Sequence, residues 1–387
     1  MTRREPRRFD SPIYVTRPLL PPVDAFMGQV AEIWESQWLT NGGAKHAALE
    51  KLLGTFFANP NVSLFNNGTI ALVTACQALR LSGEVITTPF TFSATPHVLC
   101  WNNIVPVFAD IDPQTMTLDP ASVEPLITGR TTAILGVHVY GYPCDVEAIQ
   151  SIANRHGLKV VYDAAHAFGT RIDGQSIANF GDASMFSFHA TKLFHTAEGG
   201  ALVVRDALIK ERIDLLKNFG IQDEVTVLLP GINGKMNELQ AALGLLTFEM
   251  VGRERARRRE IDALYRANLK DIPSIMVPSL PPGVDGSYQY FPIRVAPGEA
   301  GVGRDKLFDG LRRYNVYTRK YFYPLCSDYA CYRMLPTAHP SYLPVAHTIA
   351  SEILCLPFYG GLTNDEVLRI CDMINFFCHR RRPGVAA

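Results

Sequence analysis

Hydrophobic residues in the first half of the chain form short apolar runs separated by longer amphipathic stretches. Runs of about four to eight residues are typical of buried strands, whereas stretches of about ten or more with helical spacing indicate helices. Strands alternating with helices predict a mostly parallel sheet with helices on both faces, here from about residue 60 to 205. The predicted strands are 62–65, 84–87, 104–108, 133–139, 159–162 and 183–187, and the predicted helices between them are 69–81, 93–101 and 145–156.

Helical patterns flank this unit on both sides, and an irregular, Pro-rich segment begins the chain. After Pro230 the mixture of helices and strands is typical of a smaller α+β domain. We therefore predict an N-terminal arm (1–23), a large α/β domain (24–250) and a small C-terminal α+β domain (251–387). The predicted flanking helices are 24–38, 44–57, 236–251, 254–269, 304–313 and 363–378, with a strand at 289–295.

Composition excludes several classes of protein. Of the 387 residues, 47% are hydrophobic and 19% charged, which excludes a disordered chain. Because 37 basic residues balance 37 acidic ones, the composition does not favour a nucleic-acid-binding protein. No apolar stretch approaches the roughly 18 residues needed to span a membrane. The eight cysteines include no CxxC pair, and the basic N-terminus lacks the apolar region of a secretory signal. The sequence predicts a reduced, cytoplasmic protein that binds no metal and no nucleic acid.

Two candidate ligand-binding features follow predicted strands. The turn 66–69 contains Gly68 and Thr69 at a helix N-terminus, where free N–H groups bind anions; the alternative is a turn that only caps the helix. No P-loop and no G-x-G-x-x-G motif is present. Asp163 ends an apolar strand, where open α/β sheets bind ligands; the alternative is a helix cap.

Two further features concern a lysine and an aromatic residue. Lys192 follows a buried strand with few charges nearby, so its pKa is expected to be low enough for Schiff-base chemistry; the alternative is a solvated surface lysine. Phe92 follows another strand and is placed to stack on a planar ring or to pack in the core. A phosphate turn, a carboxylate for a ring nitrogen and a downstream lysine, in this order, suggest pyridoxal phosphate.

The chain resembles the DegT/DnrJ/EryC1/StrS family of sugar aminotransferases from about residue 13 to 378. The resemblance implies an aspartate-aminotransferase-like pyridoxal phosphate fold of type I, an α/β fold with a mostly parallel large-domain sheet and a smaller α+β domain. The segments that carry it, in order, are WLTNG (38–42), NGTIAL (67–72), TPFTF (88–92), PVFADID (106–112), VYG (139–141), DAAH (163–166), SFHATK (187–192), EGG (198–200) and GINGKMNELQAA (231–242).

The resemblance implies a role for each matching residue. Lys192 matches the lysine that forms a Schiff base with the cofactor and serves as acid and base, and Asp163 matches the carboxylate on the pyridine nitrogen. Phe92 matches the aromatic residue stacked on the ring, and His166 lies at a Gln or His position near the ring hydroxyl. The positions that match the phosphate cradle are Gly68, Thr69 and Ser187.

The resemblance also implies partners. Asn233 matches a residue that reaches the phosphate from the neighbouring subunit, which implies a homodimer with shared active sites. Tyr321, Tyr323 and His189 are candidate substrate contacts, although the two tyrosines are as well explained by packing. Many relatives carry a His in the segment where this chain has Cys326, so contacts with substrate there are in question.

The implied reaction has two halves. An amino acid, usually glutamate, first transfers its amino group to the cofactor and so gives pyridoxamine phosphate. A nucleotide-linked keto sugar then accepts this amino group. Segments 15–22, 65–69 and 163–169 most resemble transaminases that convert dTDP-4-keto-6-deoxyglucose to dTDP-4-amino-4,6-dideoxyglucose. Amination at C3, a UDP- or GDP-linked 4-keto sugar, and a regulatory or sugar-binding protein on the same fold are the alternatives. The pathway, such as that of an O-antigen or lipopolysaccharide, an S-layer glycan or an antibiotic, is left open.

Overall fold

The structure is a computed structural model in which residues 5–296 and 302–379 are described. In chain order its strands are β1 (Ile13–Tyr14), β2 (Val62–Phe65), β3 (Glu84–Thr87), β4 (Val105–Phe108), β5 (Thr131–Val137), β6 (Lys159–Asp163), β7 (Arg171–Ile172), β8 (Gln175–Ser176), β9 (Ala183–Ser187), β10 (Gly200–Val204), β11 (Ile275–Met276), β12 (Val284–Asp285), β13 (Phe291–Val295), β14 (Val316–Tyr317) and β15 (Ile353–Leu356). Its helices are α1 (Val23–Ser36), α2 (Ala44–Phe57), α3 (Gly68–Ala78), α4 (Ala94–Trp101), α5 (Pro120–Val123), α6 (Val146–His156), α7 (Ala207–Leu216), α8 (Glu238–Leu269), α9 (Arg304–Arg313), α10 (Pro344–Glu352) and α11 (Asn364–His379).

A seven-stranded sheet in the order β2-β10-β9-β6-β5-β3-β4 forms the centre of the large unit. Its neighbours pair in parallel, except that β10 is antiparallel to both β2 and β9. The predicted α/β fold with a mostly parallel sheet is therefore confirmed. The antiparallel strand β10 and helix α7 were not among the predicted elements.

Both faces of this sheet are buried. Because side chains alternate along a strand, Val160 and Val161 of β6 point to opposite faces. Val160 packs with Ile134 and Phe186 in one apolar cluster, whereas Val161 packs with Leu135 in another. Burial on both faces explains why these strands read as continuous apolar runs in the sequence.

The strand directions bring distant parts of the chain to one edge. β2, β6 and β9 end at Phe65, Asp163 and Ser187, and because they run in parallel their carboxyl ends share an edge. Strand β10 runs the other way, so its first residue, Gly200, lies opposite both Phe65 and Ser187. This is the edge at which open α/β sheets bind ligands.

The long helix α8 corrects one prediction. The pattern predicted two helices, 236–251 and 254–269, but the structure has one continuous helix of 32 residues. Asn237 and Gln240 form a capping box at its start, and the buried ion pair of Glu254 with Arg258, at 2.7 Å, joins successive turns. The helix runs unbroken through Gly252, where the sequence suggested a break.

The C-terminal part has its own antiparallel sheet, β11-β13-β15, and its own apolar core, which α11 and the second half of α8 share. The arm joins this part through β1, which pairs in parallel with β14. The predicted boundary between residues 250 and 251 falls within α8. The division into an arm and two domains remains a prediction, and residues 1–4 of the predicted arm and 380–387 of the predicted small domain lie outside the described residues. No helix in the described ranges is long and apolar enough to cross a membrane.

Candidate active site

The turn between β2 and α3 combines a helix cap with an anion site. Asn67 is the N-cap of α3, and its Oδ1 accepts a hydrogen bond from the Ile70 N–H at 2.8 Å. The N–H groups of Gly68 and Thr69, which begin the helix, have no intrahelical acceptor. The cap leaves these two donors available to an anion, so the two interpretations of this turn are compatible.

Close packing around Gly68 explains why glycine occupies this position. A Cβ there would lie 3.1 Å from Met185 Sδ and 3.1 Å from Ser187 Cβ, both on strand β9. A Cβ on Gly200 would lie 2.8 Å from the nitrogen of Gly68. The half-buried Ser187 thus lies directly beside the free N–H groups, and a phosphate bound there would meet backbone and hydroxyl donors together.

Asp163 is buried at the end of β6 and is 5% exposed. Its Oδ2 accepts a hydrogen bond from Thr95 Oγ1 at 2.8 Å, and its Oδ1 accepts one from the Ala165 N–H at 3.1 Å. Burial nevertheless raises the pKa of Asp163, and the nearby Lys192 opposes the rise only in part. A cationic ring nitrogen would supply the charge that stabilises the ionised carboxylate.

Lys192 lies in the loop after β9, where its N–H donates to the His189 carbonyl at 2.9 Å. Loss of water around its amine lowers the pKa of Lys192 to about 8, and the negative charge of Asp163 opposes this shift. The lowered pKa increases the neutral fraction of the amine near physiological pH, and Schiff-base formation and proton transfer require the neutral form. The geometry favours this interpretation of Lys192 over a solvated surface lysine.

Gln289, which the sequence did not single out, fixes the lysine loop. It is 2% exposed; its Oε1 accepts from the Leu193 N–H at 2.7 Å, and its Nε2 donates to the Thr191 carbonyl at 2.9 Å. One side chain thus holds the backbone on both sides of Lys192. The buried Arg258 in turn donates to the Gln289 carbonyl at 3.4 Å, which ties the loop to α8.

His166 lies beside the same edge as a neutral ring. Burial first, and the charge of Lys192 second, lower the pKa of His166 well below its usual value. Its Nδ1 accepts a hydrogen bond from the Tyr140 N–H at 3.1 Å, so the ring proton must be on Nε2. Phe322 packs parallel to the ring, with centroids 5.9 Å apart, and Tyr290 packs edge-on. His166 is therefore a fixed hydrogen-bond donor.

Phe92 and Asn233 are both exposed. Phe92 is 60% exposed in the turn between β3 and α4, as a ring that stacks on a ligand would be. The Asn233 carbonyl accepts from Asn66 Nδ2 at 3.4 Å, so this residue lies next to its own chain's phosphate turn. Its role across a subunit boundary remains a prediction.

The three candidate substrate residues have different surroundings. Tyr321 is half-buried, with its ring edge-on to Tyr290 and centroids 5.4 Å apart. His189 is exposed on the lysine loop and contacts Thr191 Oγ1 at 2.9 Å. The ring of Tyr323 is 54% exposed and lies under the Arg304 guanidinium at 4.4 Å, so the structure directs it towards α9. Only Tyr321 packs directly against residues of the His166 pocket.

Cys326, at the position where many relatives carry a His, has a structural role. Its Sγ donates to the Thr91 carbonyl at 3.3 Å, and its N–H donates to the Pro89 carbonyl at 3.0 Å. Burial raises the pKa of the thiol to about 12, so it is neutral. The residue thus fixes the 88–92 turn that carries Phe92.

These residues fit pyridoxal phosphate. Free N–H groups beside Ser187 suit the phosphate, the buried carboxylate of Asp163 suits a protonated ring nitrogen, and the exposed ring of Phe92 is available for stacking. Lys192 supplies an amine with a lowered pKa at the same edge.

The chain is similar to known proteins along most of its length. A model of the DegT/DnrJ/EryC1/StrS aminotransferase family matches residues 23–375. The chain is 45% identical to a dTDP-4-amino-4,6-dideoxy-D-glucose transaminase of Escherichia coli, over 94% of this chain and 98% of that one. It is 47% identical to one of Shigella dysenteriae, over 92% and 96%. The structure matches that of DesI in the presence of its TDP-sugar product with a TM-score of 0.92 and 36% identity, over 97% of this chain and 95% of that one.

Proposed function

Because the chain belongs to the DegT/DnrJ/EryC1/StrS aminotransferase family, we propose that it transfers an amino group from L-glutamate to C4 of dTDP-4-keto-6-deoxyglucose. The product is dTDP-4-amino-4,6-dideoxyglucose. The observation that carries the proposal is 45–47% identity, over more than nine-tenths of both chains, to transaminases named for this product. Retention of Lys192 and Asp163 supports catalysis over a purely regulatory or sugar-binding role.

The side chains divide the work of this reaction. Pyridoxal phosphate, on which the family depends, supplies the electron sink and carries nitrogen between the two substrates. Lys192 binds the cofactor and, as a neutral amine, moves the proton at the reacting carbon. Asp163 would be the ionised partner of a protonated ring nitrogen, whose charge would offset the rise in pKa that burial causes, and His166 would offer its Nε2 proton to the ring. The turn at Gly68 and Thr69 holds the phosphate.

A donor and acceptor panel tests the proposal. The holoenzyme is incubated with glutamate and, separately, with dTDP-4-keto, dTDP-3-keto, UDP-4-keto and GDP-4-keto sugars, and the products are assigned by NMR. We expect the highest kcat/KM with the dTDP-4-keto sugar and an amine at C4. An amine at C3, or a preference for a UDP or GDP sugar, would assign a different sugar substrate to the enzyme. No amination of any sugar would contradict the proposal.

We also propose a homodimer in which Asn233 of one subunit binds the phosphate in the other. The apolar side chains of Phe219, Ile221, Val227, Leu228 and Ile232, on the segment before Asn233, are all more than a third exposed. Several exposed apolar side chains on one short segment favour an interface there. A second copy of the chain would bury these side chains and bring Asn233 to the neighbouring site.

Mixing two inactive variants tests this arrangement. In a shared site, Lys192→Ala removes the lysine that one subunit contributes, and Asn233→Asp removes the asparagine that the other subunit contributes. If the sites are shared, co-refolding the two chains gives mixed dimers with one intact site, so about a quarter of all sites regain activity. If Asn233 acts within its own chain, no intact site forms and activity stays at the level of the single variants.

Gln289→Met should reduce kcat by about 10- to 100-fold, because the lysine loop loses both hydrogen bonds that position Lys192. Amide hydrogen exchange of residues 190–194 in the cofactor-free protein should become faster. Gln150→Met, which removes a surface hydrogen bond on α6, is the matched control and should change neither value. A loss of activity without faster exchange would argue against positioning through the loop.

We propose that the enzyme acts in the cytoplasm. All eight cysteines are free thiols, and six of them are buried. Unpaired cysteines are typical of reducing compartments. Titration of eight thiols in the unfolded protein isolated without reductant would support this location, whereas disulfides would oppose it.

A further inference from the structure

Tyr140 has a backbone conformation that a tyrosine rarely adopts. In the turn after β5 its φ is +57° and its ψ is 2°, which places it in the left-handed region. Glycine adopts this conformation without steric cost, whereas a bulky residue keeps it only where the surrounding contacts hold it. Such strain is often found at functional sites, yet the reaction proposed above gives the side chain of Tyr140 no role.

The backbone of this turn holds His166. The Tyr140 N–H donates to His166 Nδ1 at 3.1 Å, and the next residue, Gly141, has a φ of +94°. A Cβ on Gly141 would lie 2.9 Å from the His166 carbonyl oxygen, so only glycine allows this close approach. Ser287 Oγ donates to the same carbonyl at 2.6 Å. The histidine is therefore held at its ring and at its backbone.

The side chain of Tyr140 reaches a distant part of the chain. It is 2% exposed, and its hydroxyl donates to the carbonyl of Tyr321, 181 positions away. Burial raises the pKa of this phenol well above its usual value, so the hydroxyl keeps its proton and remains a donor. The ring lies parallel to Phe322, with centroids 6.3 Å apart, and edge-on to Phe90 at 6.1 Å. These rings fix the direction of the hydroxyl.

The two contacts of Tyr140 join opposite sides of the candidate site. His166 belongs to the motif that follows β6, at the carboxyl edge of the large sheet. Tyr321 belongs to the C-terminal part of the chain and borders the lysine loop near Thr191. One residue thus connects the histidine beside the cofactor position with a backbone segment on the other side of the site.

We propose that Tyr140 is a positioning residue that holds the Tyr321 segment (residues 319–323) in a fixed relation to His166. Its N–H orients the histidine ring, and its hydroxyl holds the Tyr321 backbone. The left-handed conformation directs the N–H and the ring to these two partners at once. Tyr140 acts through His166 and Tyr321 and not on the reacting atoms. This inference rests on the proposed function, because it concerns how the keto sugar of that reaction is bound.

Tyr140→Phe removes the hydroxyl and keeps the ring and the backbone. We expect the KM for dTDP-4-keto-6-deoxyglucose to rise about 5- to 20-fold, because the Tyr321 segment loses the donor that holds it. We expect kcat to change by less than about threefold, because Lys192 and His166 keep their contacts. Tyr162→Phe is the matched control: its hydroxyl is buried without a hydrogen-bond partner in the described structure, so its removal should change neither value.

Amide hydrogen exchange of the cofactor-free protein gives a second readout, which does not depend on activity. In Tyr140→Phe, exchange in the Tyr321 segment should become about 5- to 20-fold faster. The Tyr323 N–H, which donates to the Lys320 carbonyl at 2.7 Å, is the amide to follow. Exchange in the central strand β6 should change less. An equal change in β6 would show only a general loss of stability and would overturn the positioning role.

The remaining outcomes separate this inference from the proposed function. A fall in kcat at unchanged KM would assign the hydroxyl of Tyr140 to the reaction itself and overturn the proposal, as would unchanged exchange in the Tyr321 segment. If the wild-type enzyme aminates the dTDP sugar and Tyr140→Phe keeps the wild-type KM, only this inference fails. If the wild-type enzyme aminates no nucleotide sugar, the proposed function fails, and the exchange measurement still tests the contact.

Discussion

Lys192→Ala should lower turnover by about 10⁴-fold or more, because one side chain both binds the cofactor and moves the proton. The visible absorption band of the lysine–cofactor linkage should disappear as well. Lys51→Ala, which removes an exposed lysine on α2, is the matched control and should keep the wild-type band and rate. Persistence of the band in the Lys192 variant would contradict the assignment.

The lowered pKa of Lys192 also predicts a pH dependence. Its amine captures the cofactor only when neutral, and its pKa is about 8. The rate of capture by the cofactor-free protein should therefore rise about tenfold per pH unit below pH 8 and level off above it. Stopped-flow absorption from pH 6.5 to 9, with the Lys192→Ala trace subtracted, measures this rate. If the midpoint of this pH dependence lies near the ordinary pKa of a lysine side chain, burial does not lower the pKa of Lys192.

Asp163→Asn is expected to have two opposite effects. Turnover should fall by about 10²–10³-fold or more, because the ring nitrogen loses its charged partner. The cofactor-free protein should become more stable at neutral pH. Burial raises the pKa of Asp163 in the folded state, so its contribution to stability is lost as pH rises through that pKa, and a neutral amide avoids this loss.

Rate assays and thermal unfolding from pH 4 to 8 measure both effects of Asp163→Asn. The difference in Tm between variant and wild type should grow as pH rises. Asp182→Asn, at a half-exposed carboxylate that pairs with Lys159, is the comparison and should not stabilise the protein. A Tm difference for Asp163→Asn that shrinks with rising pH would contradict the assigned direction of the pKa shift.

Much of the large domain could be predicted from local pattern. Its parallel strands are buried on both faces, so they read as apolar runs whose bounds agree closely with the structure, as at 62–65 and 183–187. The site residues at the ends of these strands were predicted because each lies in a short motif. Asp163, Ser187 and Gly68 accordingly meet at one edge of the sheet.

The remaining features depend on contacts between distant parts of the chain. Thr95 reaches Asp163 across 68 positions and Gln289 reaches Leu193 across 96, so no local spacing could reveal either partner. Arg258 on α8 is buried and paired with Glu254, whereas an arginine-rich pattern suggests a solvated helix face. The sequence shows that Cys326 stands where many relatives carry a His. Its role in fixing the 88–92 turn becomes visible only in its contact with the distant Thr91.

Chemical fixation of the cofactor tests the central claim most directly. The holoenzyme is reduced with borohydride and digested, and the phosphopyridoxyl mass is located by tandem mass spectrometry. We expect this mass on Lys192, and we expect prior incubation with glutamate, which moves the cofactor off the lysine, to prevent the labelling. A label on another lysine, or labelling that glutamate does not prevent, would contradict the assignment of Lys192 as the centre of an aminotransferase.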